Sequence, residues 1–244
     1  MNYYLIGGIL LPFFGTSIGS SLVFLMNKSL NPKLIKGLDS FAAGVMTAAC
    51  VWSLLLPAIE RSQFLGKASF VPCTLGFWLG VAFMILISRY TVSSPEAKAF
   101  SSPLVFSVTL HNIPEGMAVG AALASCIGNG ADYTEALILS LGIAVQNLPE
   151  GAIISMPLKA GGRSKPKAFA SGILSGAVEP VAAALTVLAA KCIVPLLPIF
   201  LSFAAGAMIF AVITELVPES NSKSGVIFYT LGFTVMMSLD VALG

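Results

Sequence analysis

Residues 103–127 read PLVFSVTLHNIPEGMAVGAALASCI, and residues 133–158 read YTEALILSLGIAVQNLPEGAIISMPL. Each stretch is long and apolar enough to cross the hydrocarbon core of a bilayer as one helix, which takes about 20 residues. Each also carries a polar hexapeptide in its interior: His111-Asn112-Ile113-Pro114-Glu115-Gly116 in the first, Gln146-Asn147-Leu148-Pro149-Glu150-Gly151 in the second. A charge at the centre of a membrane helix costs about 2.5 to 3.5 kcal/mol even on the lenient insertion scale. Two such helices in succession predict a membrane protein whose interior has work for carboxylates.

The rest of the chain fits that reading. Of its 244 residues 57% are hydrophobic and 10% charged, with a mean hydropathy of +0.93, whereas a soluble domain carries roughly 25% charged residues. Six further apolar segments accompany the first two, giving eight expected transmembrane helices at about 4–26, 38–59, 70–90, 103–127, 133–158, 167–190, 195–216 and 225–243. The expected fold class is an all-α integral membrane protein. The connections leave no room for a soluble domain, so 1–244 reads as one polytopic transmembrane domain. Its first segment has no basic flank before it and no small-residue cleavage pattern after it, and is expected to be a permanent helix.

Loops after segments 1, 3, 5 and 7 hold Lys28, Lys33, Lys36, Arg89, Lys98, Lys159, Arg163, Lys165, Lys167 and Lys223, ten of the thirteen basic residues. Arg61, Lys67 and Lys191 fall on the other side. Basic loops stay in the cytoplasm, which puts both termini outside it, with the cell membrane as the expected location. The net charge of +2 is this loop bias summed and gives no reason to expect a nucleic-acid partner. Expected partners are the lipid bilayer and the transported substrate, with a homodimer as a candidate assembly. Cys50, Cys73, Cys126 and Cys192 form no Cys-x-x-Cys pair, which argues against a thiolate zinc site. They are expected as small free hydrophobes.

Internal symmetry organises the segments. Phe41-Ala42-Ala43-Gly44-Val45-Met46 in segment 2 is echoed by Phe203-Ala204-Ala205-Gly206-Ala207-Met208 in segment 7. Segments 2 and 7 run in opposite directions, as do segments 4 and 5, which is the requirement of an inverted repeat. A 3+2+3 plan relates all four by one pseudo-two-fold axis in the membrane plane, and transporters built this way bind their cargo near the midplane at the repeat interface.

Glu115, Glu150 and Glu179 lie deep in apolar segments with no Lys or Arg at comparable depth. The missing partners are cations or protons. Residues four apart share a helix face, so His111 projects with Glu115 and Gln146 with Glu150. Counted from the cytoplasmic ends at 1.5 Å per residue, antiparallel packing sets His111 level with Glu150 and Glu115 level with Gln146, at a depth of roughly 12 to 18 Å. Asn112 and Asn147 are turned by about 100° from the His and Gln positions into a neighbouring space, which Glu179 can close from segment 6. Two abutting sites sharing Glu115 and Glu150 would place three carboxylates around up to two divalent ions. Pro114, Pro149 and Pro180 free the carbonyls of Leu110, Val145 and Gly176 nearby. Gly15 and Gly19, Gly116 and Gly120, and Gly172 and Gly176 form small faces best read as helix packing.

The two motifs, followed by Glu179-Pro180 in the next helix, resemble the signature of the ZIP (Zrt/Irt-like) family of divalent metal transporters, in its GufA-like branch. The resemblance covers nearly the whole chain. It implies a binuclear site, with His111, Glu115, Gln146 and Glu150 around one metal and Asn112, Glu115, Asn147, Glu150 and Glu179 around the other. Met46 matches a position where that branch can add a thioether. It also implies uptake toward the cytoplasm and an elevator-like movement of segments 1, 4, 5 and 6 against the others. Many members carry a second His where Gln146 stands, and a His-rich loop where 91–102 has no His. An amide oxygen binds borderline metals less strongly than imidazole. The order of expectation is therefore zinc first, then cadmium, iron and manganese, all as substrate, with no cofactor.

Two other classes compete. A proton- or sodium-coupled carrier of a non-metal substrate would use the carboxylates but has no need for the ring of Asn and Gln oxygens. An intramembrane metalloprotease would need His-Glu-x-x-His, and a Ser or Cys hydrolase a dedicated His; the chain has one His and is not expected to be an enzyme. Glu215 and Glu219 at one end, and Glu60 and Asp240 at the other, are candidates for the ion path or for simple solvated helix ends.

Overall fold

The computed structural model describes residues 3–26, 32–93, 103–127, 132–217 and 222–243, and every regular element among them is helical. Eight long helices follow one another. They are α1 (Tyr3–Ser21, tightening into a 3₁₀ turn at Leu22–Leu25), α2 (Pro32–Ala49, continued through a π-helical turn Cys50–Leu55 to Leu56–Glu60), α3 (Phe70–Ser93), α4 (Pro103–Cys126), α5 (Thr134–Ala160), α6 (Lys165–Gly176, then Val178–Leu188), α7 (Leu197–Ala211, ending in a π-helical turn Val212–Leu216) and α8 (Lys223–Leu243). In hydrocarbon a helix satisfies its backbone groups within one segment, which is why an apolar chain takes this form.

Seven of the eight are long and apolar enough to cross a membrane. The exception is α4, whose His111, Asn112 and Glu115 depress its hydropathy although its length equals that of α3. Segment 6, expected at 167–190 with a kink at Pro180, is α6, which breaks at Ala177 because Pro180 cannot donate a backbone bond to the carbonyl of Gly176. Lys28, Lys98 and Glu219 fall outside the described residues.

Glycine decides which helices touch. A Cβ on Gly15 or Gly19 would collide with the carbonyls of Ala144 or Leu148, locking α1 to α5. On Gly116 or Gly120 it would strike the carbonyls of Glu179 or Ala183, locking α4 to α6. Gly44 meets the Tyr229 carbonyl and Gly232 that of Phe41, joining α2 to α8; Gly80 meets Phe203 and Gly206 meets Phe77, joining α3 to α7. Removal of the side chain lets backbones approach until main chain packs on main chain. These pairings are consistent with a 3+2+3 inverted repeat, in which α1 exchanges with α6, α2 with α7, α3 with α8 and α4 with α5.

The close contacts also sort the helices into two groups, α1, α4, α5 and α6 against α2, α3, α7 and α8. Where the groups meet, as at Gly142, the neighbours are the flexible Met236 methyl and the Ser53 hydroxyl. Of the α5 span 72% is buried, against 17% for α8, so α5 is the axis of the bundle and α8 its rim. Together with α3 the rim exposes Trp78, Leu86, Ile227 and Val241, a surface suited to lipid and costly in water. Some buried hydroxyls are satisfied within their own helices, as Ser140 on the Ala136 carbonyl and Thr186 on that of Ala182.

Candidate metal site

The sequence motifs of α4 and α5 meet in the middle of the bundle. Gln146 Nε2 donates to Glu115 Oε1 at 2.8 Å, and both side chains are fully buried. The antiparallel count that set these two residues level agrees with this contact. Glu150, one turn along α5, is also buried, as is Glu179 of α6. The His111 side chain lies outside the described residues, as does that of Glu215.

On the second face the two asparagines are held alike. Asn112 Nδ2 donates to the Ser175 carbonyl of α6 at 3.0 Å, and Asn147 Nδ2 to the Pro12 carbonyl of α1 at 3.4 Å. Glu179, placed by the break in α6 at the first turn of its second half, reaches in from the side. Its Oε1 accepts a hydrogen bond from Thr16 Oγ1 of α1 at 3.1 Å. Asn112, Asn147, Glu179 and Thr16 are all 0% exposed.

The amides share one polarity. Each NH2 is engaged on the protein, while Asn112 Oδ1, Asn147 Oδ1 and Gln146 Oε1 have no hydrogen-bond partner among the described residues, and neither do Glu115 Oε2 and Glu179 Oε2. Leaving a buried acceptor unsatisfied costs about 1 to 3 kcal/mol, more for a charged one. Five such oxygens on α4, α5 and α6 are strongly destabilising unless a cation is the intended partner. Among the described residues no three of His, Cys, Asp or Glu stand together as a ready metal cluster, so a metal held here needs the amide oxygens beside the carboxylates. Carboxylate and amide oxygens can surround a divalent ion, and zinc accepts oxygen ligands as well as imidazole.

Met46 is buried in the apolar cluster that includes Ala118 and Val119 of α4 and Ile143 of α5. Its neighbour one turn on, Cys50, donates to the Ala205 carbonyl at 3.7 Å. Cys50, Cys73, Cys126 and Cys192 are all free, and Cys192 is exposed rather than buried. Thr16 was not singled out from sequence. The available signal was the polar run Gly15-Thr16-Ser17 inside an otherwise apolar helix, which the glycine spacing alone turned into a packing face.

At the α2 end of the bundle a cavity of about 570 Å³ opens, lined among others by Ser53, Glu60, Arg61, Glu135 and Asp240. Ser53 Oγ donates to both oxygens of Asp240, at 2.7 and 2.9 Å, and Arg61 pairs with Glu135 across α2 and α5 at 3.1 Å. The cavity lining also includes Ala122 of α4 and Leu139 of α5, two turns, about 10 Å, from Glu115 and Gln146. Between these levels Ala118, Val119 and Ile143 belong to the apolar cluster.

The sequence model of the family described as ZIP zinc transporter matches residues 94–240. A zinc transporter ZIP11 from Xenopus tropicalis is 34% identical over 97% of this chain and 96% of its own length. Zinc transporter ZIPB of Bordetella bronchiseptica is 31% identical over 100% of this chain and 82% of its own. Zinc transporter GufA of Myxococcus xanthus is 34% identical over 79% and 81%.

Proposed function

The chain belongs to the ZIP zinc transporter family, and on that premise we propose that it carries divalent transition-metal ions, zinc foremost, across the cell membrane into the cytoplasm through a two-ion site shared by Glu115 and Glu150. The observation that carries this is the set of buried oxygens on Asn112, Glu115, Gln146, Asn147 and Glu179 that have no hydrogen-bond partner among the described residues. One ion would lie among His111, Glu115, Gln146 and Glu150, the other among Asn112, Glu115, Asn147, Glu150 and Glu179, with Met46 as a candidate thioether. Cadmium, iron and manganese are the further substrates expected of such a donor set. With α4 counted beside the seven apolar helices, the chain crosses the membrane eight times as one polytopic domain with both termini outside.

The cavity lined by Glu60, Glu135 and Asp240 would then gather cations before the apolar layer at Val119 and Ile143. Release to the other side needs relative motion of the two helix groups. The absence of backbone-on-backbone glycine contacts between them among the described residues favours sliding as units. The metal is cargo, and nothing in the site calls for chemistry on a bound substrate.

The test is uptake by purified protein in liposomes, challenged with Zn2+, Cd2+, Fe2+ and Mn2+. Saturable Zn2+ entry together with metal bound per chain is expected. A protein that holds no metal and responds only to an imposed proton or sodium gradient would replace this proposal with that of a non-metal carrier. A tag after Gly244 should be reachable from outside intact cells.

A further inference from the structure

The two halves of the site are held by equivalent contacts, and these contacts identify an additional residue. Asn112 of α4 donates to Ser175, four residues before Glu179 in α6. Asn147 of α5 donates to Pro12, four residues before Thr16 in α1. Gly116, which follows Glu115, abuts the Glu179 carbonyl; Gly151, which follows Glu150, abuts the Thr16 carbonyl. Thr16 therefore stands where α1 would place the counterpart of Glu179, and the two counterparts hydrogen-bond to each other, 163 residues apart in sequence, at 3.1 Å.

We propose that Thr16 is a positioning and selectivity residue of the ion site, its hydroxyl occupying Glu179 Oε1 so that Oε2 alone is presented to the cation. The inference rests on the transport reading above. A Thr hydroxyl has one proton. Its two acceptors in reach are the Pro12 carbonyl at 3.5 Å and the Glu179 carboxylate at 3.1 Å, and the shorter, charge-assisted bond takes the proton. The geometry is fixed from behind as well, since Gly176 of α6 leaves room only for the Thr16 side chain, whose Cβ and methyl would lie 2.8 and 2.9 Å from a Cβ at that position. A carboxylate with one oxygen tied in this way binds a metal through the other. Larger divalent ions use bidentate carboxylates freely, while smaller ones make do with single oxygens in tighter shells. Thr16 thus biases the site toward small ions such as Zn2+ over large ones such as Cd2+.

The experiment compares wild type, Thr16→Val and Thr16→Ser in liposomes, measuring metal bound per chain and initial-rate KM and Vmax for Zn2+ and Cd2+. Valine keeps the shape and removes the donor. It should raise the KM for Zn2+ by on the order of tenfold, leave Vmax closer to wild type, and shift preference toward Cd2+, whereas serine, which keeps the donor, should recover the wild-type ratio. A Thr16→Val protein with unchanged Zn2+ KM and unchanged Cd2+ to Zn2+ preference overturns the inference. So does an equal loss in both variants that tracks reduced thermal stability, which would make Thr16 a packing residue. If the wild type itself neither binds nor moves a divalent ion, the transport reading falls first and this inference with it.

Discussion

The two halves of the site, α4 with α6 and α5 with α1, share a scaffold and differ in their chemistry. Asn, Pro, Glu and Gly recur at the same motif positions, and each serves geometry: an amide tied to a neighbouring carbonyl, a freed backbone oxygen, a shared carboxylate, a close helix crossing. The positions that differ are those that would set affinity in the proposed site. His111 faces Gln146 in the alignment of the motifs, and Glu179 faces Thr16. Replacing one of four symmetric acids by a hydroxyl leaves three carboxylates. One divalent ion then leaves the cluster at minus one and two ions leave it at plus one, so neither loading strands a large charge in low dielectric. A fourth carboxylate at position 16 would hold a singly loaded site at minus two.

The largest test of this comparison removes the carboxylates one at a time. Glu115→Ala and Glu150→Ala take a ligand from both proposed ions, and Zn2+ uptake should fall by about a hundredfold or more. Glu179→Ala should instead lose one ion, keep the other, and retain measurable uptake with altered selectivity. Metal content per chain and initial uptake rate, in variants shown to fold, measure the contrast. If Glu179→Ala loses all metal while Glu115→Ala keeps one ion and still transports, the shared-carboxylate arrangement is wrong and the site is centred on α6.

A second test addresses the scaffold. Gly116→Ala and Gly151→Ala each drive a methyl into a backbone carbonyl of the partner helix, Glu179 or Thr16. Each should cost about 1 to 3 kcal/mol, read as a lowered melting temperature in detergent. Similar losses sharpen the equivalence of the halves, and a large effect in one with none in the other breaks it. Gln146→His makes the two motifs alike at the position where they differ. It should tighten Zn2+ binding by about tenfold, about 1.4 kcal/mol, because imidazole is the better zinc ligand. Unchanged affinity would place Gln146 outside the coordination shell. The smallest effect is expected at the rim, where Arg61 and Glu135 are both solvent-accessible. Arg61→Ala should cost no more than about 1 kcal/mol, and less at high salt, leaving Zn2+ affinity at the buried site unmoved.

Much of this was legible from residue order. Twenty-residue apolar runs dictate helices in a bilayer because no other open form satisfies the backbone there, and a proline three residues before Ala183 already marks where α6 must bend. The level pairing of Glu115 with Gln146 needed only helical rise and an antiparallel assumption. The rest depended on contacts between elements. Seven rather than eight helices pass on apolarity because the residues that make the site also spoil the hydropathy of α4. Glu60 and Asp240, each a candidate from sequence for the ion path or for a solvated helix end, line one cavity, and Asp240 is bound by a serine 187 residues away.

By itself, then, the sequence determined the helices and singled out the buried acids that have no basic residue at their depth, since period, length and the cost of a buried charge are local properties of the chain. Only the tertiary structure decided that the NH2 groups of Asn112, Gln146 and Asn147 turn to the protein and leave their oxygens without a partner among the described residues, and that Thr16 meets Glu179. Those outcomes follow from glycine-spaced backbones pressed together across α1, α4, α5 and α6, and which backbones come that close is settled by packing, over separations that no local pattern encodes.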